Sequence, residues 1–309
     1  MQSDAPKILV SVCTLTYNHE QYVRECLNGI LKQRRNFAIE VLIHDDASPD
    51  HTAGIIREYE SKYPEFIFPI YQKENKCSKG ISVSTVYNFS RVQGKYIALC
   101  EGDDYWTDEN KLQKQVDFLE AHPDFSAVVH QCARLNQNTG EITYRPVEKV
   151  ELTINDMLRE TPAQTATFMF RKSILDGIEI PNVFSEDKAY LILMALKGRV
   201  AFLPDCMSVY RKNDGGVSRH VHYDDIKMDL RLPEWGRSLN PSFPYYRHKS
   251  FIYETMMNYS CDISLRGKWK CFILFLMMSF SYFPGNMHSI WRNFKKCVNA
   301  TLGTIGIRK

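Results

Sequence analysis

Tyr96 to Trp106 reads YIALCEGDDYW. Ile97, Ala98 and Leu99 form an apolar run bounded by Lys95 and Glu101. A short apolar run that stops at acidic residues predicts a buried strand delivering carboxylates to its carboxyl end. Glu101, Asp103 and Asp104 follow within four residues. Three carboxylates this close repel one another unless a proton or a cation intervenes. A hard divalent cation takes oxygen ligands and leaves positions open for phosphate oxygens. The competing reading is a solvated turn, because Gly-Asp-Asp is ordinary turn chemistry.

Upstream of this stretch the chain alternates between two periods. Lys7 to Leu15 is β-rich and ends at Thr16-Tyr17-Asn18-His19. Tyr22, Val23, Cys26, Leu27, Ile30 and Leu31 then recur at helical spacing, predicting a helix over about 20–33. Ala38 to Ile43 is a second strand that ends in His44-Asp45-Asp46, and Asp50 is placed to cap a helix over about 51–62. Phe66 to Tyr71 is a third strand, and a helix over 82–93 leads to Gly94 and the strand at Tyr96. Repeated strand–helix alternation favours a parallel sheet with helices on both faces. Ligands of such sheets sit beyond the carboxyl ends of the strands. Leu15-Thr16-Tyr17, Asp45-Asp46 and Glu101-Asp103-Asp104 therefore point to one crevice. Neither GxGxxG nor a P-loop is present, so the common dinucleotide and NTPase readings lose support.

The second half is less regular. Lys111 to Ala121 predicts a helix ended by His122-Pro123, Phe125 to Leu135 a strand, and Glu141 to Arg145 a short one. A short helix over 152–159 opens at Thr153, and Thr165 to Arg171 is a strand. Glu186 and Asp187 begin a helical run over 188–197, where the helix dipole favours acids. Val200 to Leu203 and Met207 to Arg211 are strands, and Asn213-Asp214-Gly215-Gly216 is a flexible loop.

The chain has 309 residues, enough for one large core or two smaller ones. Its nine cysteines include no CxxC pair, which predicts a reducing cytosol and argues against a disulfide framework or a zinc site. MQSDAPKILV lacks a charged start followed by a long apolar core, so no secretory signal is expected. After Asp262 the sequence holds eight Lys and Arg and no acid, more than the whole chain's net charge of +3. The body before it is net acidic, which argues against a nucleic-acid partner.

Taken in order, VSVCTLTYN, HDDASPD, the Asn88 segment, YIALCEGDDYW, SED and YRKNDGGVS resemble family-2 glycosyltransferases of the GT-A fold. The EGDDYW–KLQKQVDFLE version resembles the bacterial branch that builds surface polysaccharides. The resemblance implies a mostly parallel, Rossmann-like central α/β sheet flanked by helices. It implies a GT-A domain over 1–220, with a nucleotide-binding half over about 1–130 and an acceptor half over about 131–220, then a helical extension over 221–309.

The same resemblance implies residue roles. Leu15, in place of the family's frequent proline, and Tyr17 stand where relatives contact the nucleobase, and Glu20 matches a position that helps hold the nucleotide. Asp46 matches the aspartate that bonds the uracil edge, with Asp45 as the alternative contact, and Lys79 lies where a basic residue reaches phosphate. Asp103 and Asp104 match the Asp-any-Asp site, one for the ribose and one for a Mn or Mg ion, with Glu101 at its first position. Asp187 matches the catalytic base, and Glu186 a residue orienting the acceptor. Many relatives carry His at Asn213, for which Arg211, Arg219 or His220 are the candidate substitutes. Thr165, Thr167 and Arg171 sit near the acceptor or serve only the sheet.

The implied activity is inverting sugar transfer from a UDP-sugar to a glycan or lipid-linked acceptor. The rivals are a sugar-nucleotide-forming nucleotidyltransferase, which would want a Gly-rich basic loop that VSVCTLTYNHE lacks, and a binder without turnover, which has no need of a base. CFILFLMM over 271–278, extended by Phe280, Tyr282 and Phe283, is too short to span a bilayer. It is either a buried helix or a segment lying in the plane of an anionic membrane, and the acid-free tail favours peripheral contact at the inner face.

Overall fold

The computed structural model describes residues 7–145, 148–159, 162–216, 221–282 and 285–304. Val217, Ser218, Arg219, His220, Phe283, Pro284, Arg308 and Lys309 lie outside the described residues.

The chain falls into two compact units, the first comprising residues 1–156, 161–180 and 193–215, and the second residues 157–160, 181–192 and 216–309. The first unit opens with β1 (Ile8–Thr16), α1 (Val23–Leu31), β2 (Ala38–Asp45), α2 (Thr52–Lys62), β3 (Ile67–Tyr71), β4 (Tyr96–Leu99) and β5 (Tyr105–Trp106). There follow α3 (Lys111–Ala121), β6 (Phe125–Asn136), β7 (Ile142–Tyr144), β8 (Glu151–Leu152), β9 (Met169–Arg171) and β10 (Arg199–Lys212), while α4 (Ile154–Arg159) and α5 (Glu186–Lys197) each contribute residues to both units.

The strands form one sheet in the order β3-β2-β1-β4-β9-β6-β10-β5, with β7 on β6 and β8 on β10. The half from β3 to β4 is parallel, as the strand–helix alternation predicts. The other half is mixed: β6 and β10 run parallel, while β9 runs antiparallel to β4 and β6. The chain places β2 and β3 on one side of β1 and then returns to put β4 on the other. Such a reversal of strand order opens a crevice at the carboxyl ends of the strands.

Burial explains the helices. Val23, Cys26, Leu27 and Ile30 of α1, Ile55 and Ile56 of α2, and Leu112, Val116 and Leu119 of α3 share one core with Val10, Val12, Val41, Ile43 and Ala98. Each buried side chain of this size is worth about 1.5–3 kcal/mol relative to exposure. Asp50 accepts from the Thr52 amide at 3.0 Å, which serves the start of α2 although His51 holds the cap position.

Three predicted elements differ. Residues 82–93 do not form a regular helix: a π turn at Ser84–Asn88 passes into a 3-10 turn at Phe89–Arg91. Side-chain anchors explain this, because Asn88 donates to Thr14 O and the Arg91 guanidinium donates to Ile43 O and Phe68 O at the strand ends. Thr165–Thr167 is a 3-10 turn in which Gln164 O accepts from both the Thr167 amide and its hydroxyl, so the strand begins only at Met169. Val200–Leu203 and Met207–Arg211 belong to one strand, with register shifts around Leu203–Ser208 absorbing Pro204. Pro204 lies within the register shift and does not end the strand.

The second unit continues with α6 (Tyr223–Met228), α7 (Arg231–Leu239), α8 (Tyr245–Tyr259), α9 (Leu265–Ser279) and α10 (Met287–Thr304). Its core gathers Ile226, Ile252, Met256, Met257, Cys271, Phe272, Phe275 and Cys297. Among the described residues no helix is long and apolar enough to cross a membrane.

Candidate active site

Parallel register sets the geometry. Leu15 pairs with His44, Thr16 with Asp45, and Cys13 with Leu99, so β1, β2 and β4 end at nearly one level. The turn after β4 is drawn against the end of β1 by the Gly102 amide, which donates to Leu15 O at 2.9 Å. A Cβ at Gly102 would sit 2.6 Å from Thr16 Cγ2 and 2.8 Å from His19 Nδ1. Only glycine lets the acidic turn come this close.

The two aspartates of that turn face different ways. Asp104 is 2% exposed and accepts the Arg211 amide at 2.8 Å. Burial, then the like charges of Asp103 and Glu101, push its carboxyl well above the usual range. Asp103 is partly exposed; its Oδ2 accepts from Asn213 Nδ2 at 2.9 Å and lies 3.9 Å from His19 Nε2. The Asn213 loop, expected to be flexible, has its first residue buried and bonded to the site.

Arg211 holds this turn. Its Nε donates to Asp103 O at 2.8 Å, Nη1 to Gln137 Oε1 at 2.6 Å, and Nη2 to Glu25 Oε2 at 2.5 Å. The guanidinium lies 4.8 Å from the Tyr22 ring centre and 5.1 Å from that of Tyr105. A planar fork with several partners is what arginine supplies and lysine does not.

The rim beyond β2 is equally bonded. Asp45 accepts from Thr16 Oγ1 at 3.0 Å and Ser48 Oγ at 2.6 Å, which braces its own turn. Asp46 accepts the Lys76 amide at 2.8 Å, the Cys77 amide at 2.9 Å, and faces His44 Nε2 at 3.3 Å. Burial lowers the His44 pKa, and a ring nitrogen facing an acceptor-only carboxylate is placed to donate. A carboxylate has about four lone-pair sites, so Asp46 keeps acceptor capacity beyond these bonds. Glu20 clasps two loops: its Oε2 accepts the His51 amide at 2.8 Å while its own amide donates to Asp50. Lys79 is exposed, and its Nζ pairs with Glu74 at 2.5 Å. Tyr17 is exposed just beyond β1. Arg171 donates to Phe125 O, Leu119 O and Tyr96 Oη at the starts of β6 and β4, the sheet-structural role.

In the second unit, Asp187 is half-buried in the first turn of α5. Ser185 donates through its amide and hydroxyl to Asp229 at 2.9 and 2.6 Å, and Glu186 Oε2 accepts from Tyr190 Oη at 2.8 Å. Burial lowers the pKa of Lys188, with Asp187 and Asp229 opposing that shift.

Among the first-unit acids, Asp103 is the one that could hold a divalent cation. Asp103 offers a carboxylate on the open side with His19 Nε2 3.9 Å away, and a second acid raises the local negative charge. Carboxylate oxygens suit both manganese and magnesium. His19 was not singled out by sequence, although its place in TYNHE just past a strand end was the available signal.

Residues 11–179 match the family model described as glycosyl transferase family 2. An uncharacterised protein of Mycobacterium tuberculosis is 34% identical over 221 residues, 71% of this chain and 63% of that protein. The chain thus spans less than two thirds of that relative's length. A Bacillus subtilis protein described as the putative teichuronic acid biosynthesis glycosyltransferase TuaG is 31% identical over 216 residues, 69% of this chain and 82% of that one. A solved structure of S. aureus TarS residues 1–349 in complex with UDP-GlcNAc superposes with a TM-score of 0.65 at 20% identity, over 88% of this chain and 81% of that one.

Proposed function

The chain belongs to glycosyl transferase family 2, and from that premise we propose that it transfers a sugar from a UDP-linked donor, with inversion, to a hydroxyl of a glycan or lipid-linked acceptor in bacterial surface-polysaccharide synthesis. The observation that carries the reading is the pair of aspartates after β4, one buried against Arg211 and one open beside His19 and Asn213.

Each residue has a task in that reaction. The Leu15 backbone and the Tyr17 ring bound the nucleobase, and Asp46 holds the Lys76–Cys77 backbone beside it while accepting from the base edge. Glu20 fixes the loop that carries Tyr17, and Lys79 exchanges Glu74 for a phosphate. Asp103 is the residue that would hold the metal, Mn or Mg, and Asp104 fixes the turn through Arg211. When bound, a divalent cation neutralises charge on the departing diphosphate, an effect worth several kcal/mol. Asp187 takes the proton from the acceptor hydroxyl. That oxygen bonds to the anomeric carbon as the bond to the diphosphate oxygen breaks, its electron pair leaving with UDP. A single displacement inverts the centre. The nine cysteines suit the reducing cytoplasm, where we assign the reaction, with peripheral contact at the inner membrane face.

A thermal-shift series with UDP-glucose, UDP-galactose, UDP-GlcNAc and GDP-mannose, each with and without manganese, tests the donor. Ligand binding to the folded state alone raises the midpoint. One UDP-sugar is expected to stabilise the chain in a metal-dependent way. Asp187→Asn is expected to keep that stabilisation and abolish transfer. Transfer by Asp187→Asn at the wild-type rate removes Asp187 from the chemistry, and stabilisation by none of the donors removes the donor reading.

A further inference from the structure

The two faces of α9 differ in a way that its apolar composition conceals. Cys271, Phe272, Phe275 and Ser279 are buried in the core of the second unit. On the opposite side Ile273 and Met277, continued by Phe280 in the 3-10 turn that follows, are 54%, 59% and 73% exposed. Their spacings of four and three residues make one stripe, and Arg266 and Lys270 extend it toward the start of the helix. Large apolar side chains in a contiguous exposed row mark an interaction surface, whereas scattered ones do not.

The next helix continues the surface. Met287 and Trp291 of α10 are 59% and 57% exposed. The Phe294 ring lies 5.9 Å from Trp291, and also 6.2 Å from Trp269 and 6.0 Å from Phe272 of α9, so the two exposed stripes flank one seam. Lys295 Nζ sits 5.0 Å from the Trp291 ring centre. No Asp or Glu occurs after Asp262, so both helices carry cations only.

We infer that this α9–α10 face seats the protein in the plane of an anionic membrane, with Ile273, Met277, Phe280, Met287 and Trp291 entering the headgroup–acyl boundary and Arg266, Lys270 and Lys295 meeting lipid phosphates. Amphipathic helices with aromatic and basic residues bind in this manner, through apolar burial plus attraction to anionic lipid. Folding does not require the stripe, because the opposite face of α9 already supplies the core. A second copy of the chain is the weaker occupant, since two cationic faces repel where an anionic surface attracts. The inference concerns where the protein sits and stands whether or not the donor reading holds.

The test is co-sedimentation of the full chain with vesicles of phosphatidylcholine containing phosphatidylglycerol, against phosphatidylcholine alone. Binding is expected to the anionic vesicles, to weaken as salt rises, and to blue-shift a tryptophan emission that Trp291→Phe removes. The double substitution Phe280→Asp/Trp291→Asp is expected to lower vesicle affinity at least ~10-fold, with the circular dichroism spectrum and the nucleotide-sugar thermal shift unchanged. Three outcomes overturn the inference: no sedimentation with anionic vesicles, sedimentation indifferent to the double substitution, or a stable dimer by light scattering that the double substitution dissociates. A vesicle failure with intact nucleotide-sugar stabilisation discards the surface and leaves the donor reading standing.

Discussion

Arg211 touches Asp103, Gln137 and Glu25 through three separate nitrogens. Arg211→Lys keeps the charge and loses the fork. Two or more of these bonds go unmade, and since Glu25 and Gln137 are exposed each is worth about 0.5–1.5 kcal/mol. The expected result is a fall in kcat/KM of about 10- to 100-fold, with weaker metal-dependent stabilisation by the donor. Wild-type kinetics in this variant would show that the turn holds itself. Lys111 offers a second residue-scale test. It is fully buried, donates to Gln115 Oε1 at 2.7 Å and lies 4.0 Å from the Trp106 ring centre. Burial brings its pKa down to about 7. Between that value and the ordinary one near 10.5, the unfolded chain binds the extra proton, so stability rises with pH. From pH 6.5 to 8.5 the wild type is expected to gain about 2 kcal/mol that Lys111→Met does not, as read from urea unfolding at each pH. Equal slopes would mean that the ammonium stays charged in the fold. The acidic pair was legible in sequence because its members are adjacent and follow a strand. The contacts of Arg211 with Glu25 and of Asn213 with Asp103 were not, because they join positions more than a hundred residues apart.

Elements were legible where the hydrophobic period was unbroken, as in α1, whose Val23, Cys26, Leu27 and Ile30 are buried as their helical spacing predicts. They were misread where a side chain outcompeted the backbone. Arg91 and Asn88 spend their hydrogen bonds on the strand ends, and the helical run over 82–93 breaks into tighter and wider turns. The contact of α1 with β5 had no sequence signal at all except Gly29. A Cβ there would lie 2.8 Å from Trp106 O and 3.1 Å from Trp106 N, backbone atoms that cannot turn aside. In a free helix Gly→Ala is favourable by up to ~1 kcal/mol. Here overpacking at about 1–3 kcal/mol outweighs it. Gly29→Ala is expected to lower the unfolding free energy, while Gly303→Ala in α10, with nothing within 4 Å, raises it or leaves it unchanged. Calorimetry on the two variants decides the matter, and a stabilised Gly29→Ala would mean that α1 can slide on β5 without loss.

Across the whole molecule, the parallel half of the sheet was legible because each strand–helix repeat dictates its neighbour. The second unit was not, since its helices α6 to α10 show no motif beyond apolar runs and an acid-free tail. Sequence could not choose between burial and a surface for residues 271–278; the helix does both, one on each side. What the two units share is buried neutral histidine. In the first unit burial lowers the pKa of His44 and sends that of His130 well below its usual value. In the second, burial and the nearby Lys188 push His248 down to about 3, with the Phe243 ring 5.7 Å away. Each of these groups has a folded pKa below its unfolded value of about 6.5. Above 6.5 neither state binds the proton and nothing is lost. As pH falls below 6.5 the unfolded chain takes up protons the fold refuses, and stability declines by up to ~1.4 kcal/mol per pH unit for each histidine. For His248 the decline continues until its folded pKa near 3. Unfolding followed from pH 7 to 4.5 is therefore expected to show a steep acid slope, and His248→Leu to remove one histidine's share of it while shifting the neutral-pH stability by a different, pH-independent amount. An acid slope identical in wild type and His248→Leu would mean that the imidazole is protonated inside the fold. The second unit would then have to hold that charge beside Lys188, which the burial of His248 makes unfavourable.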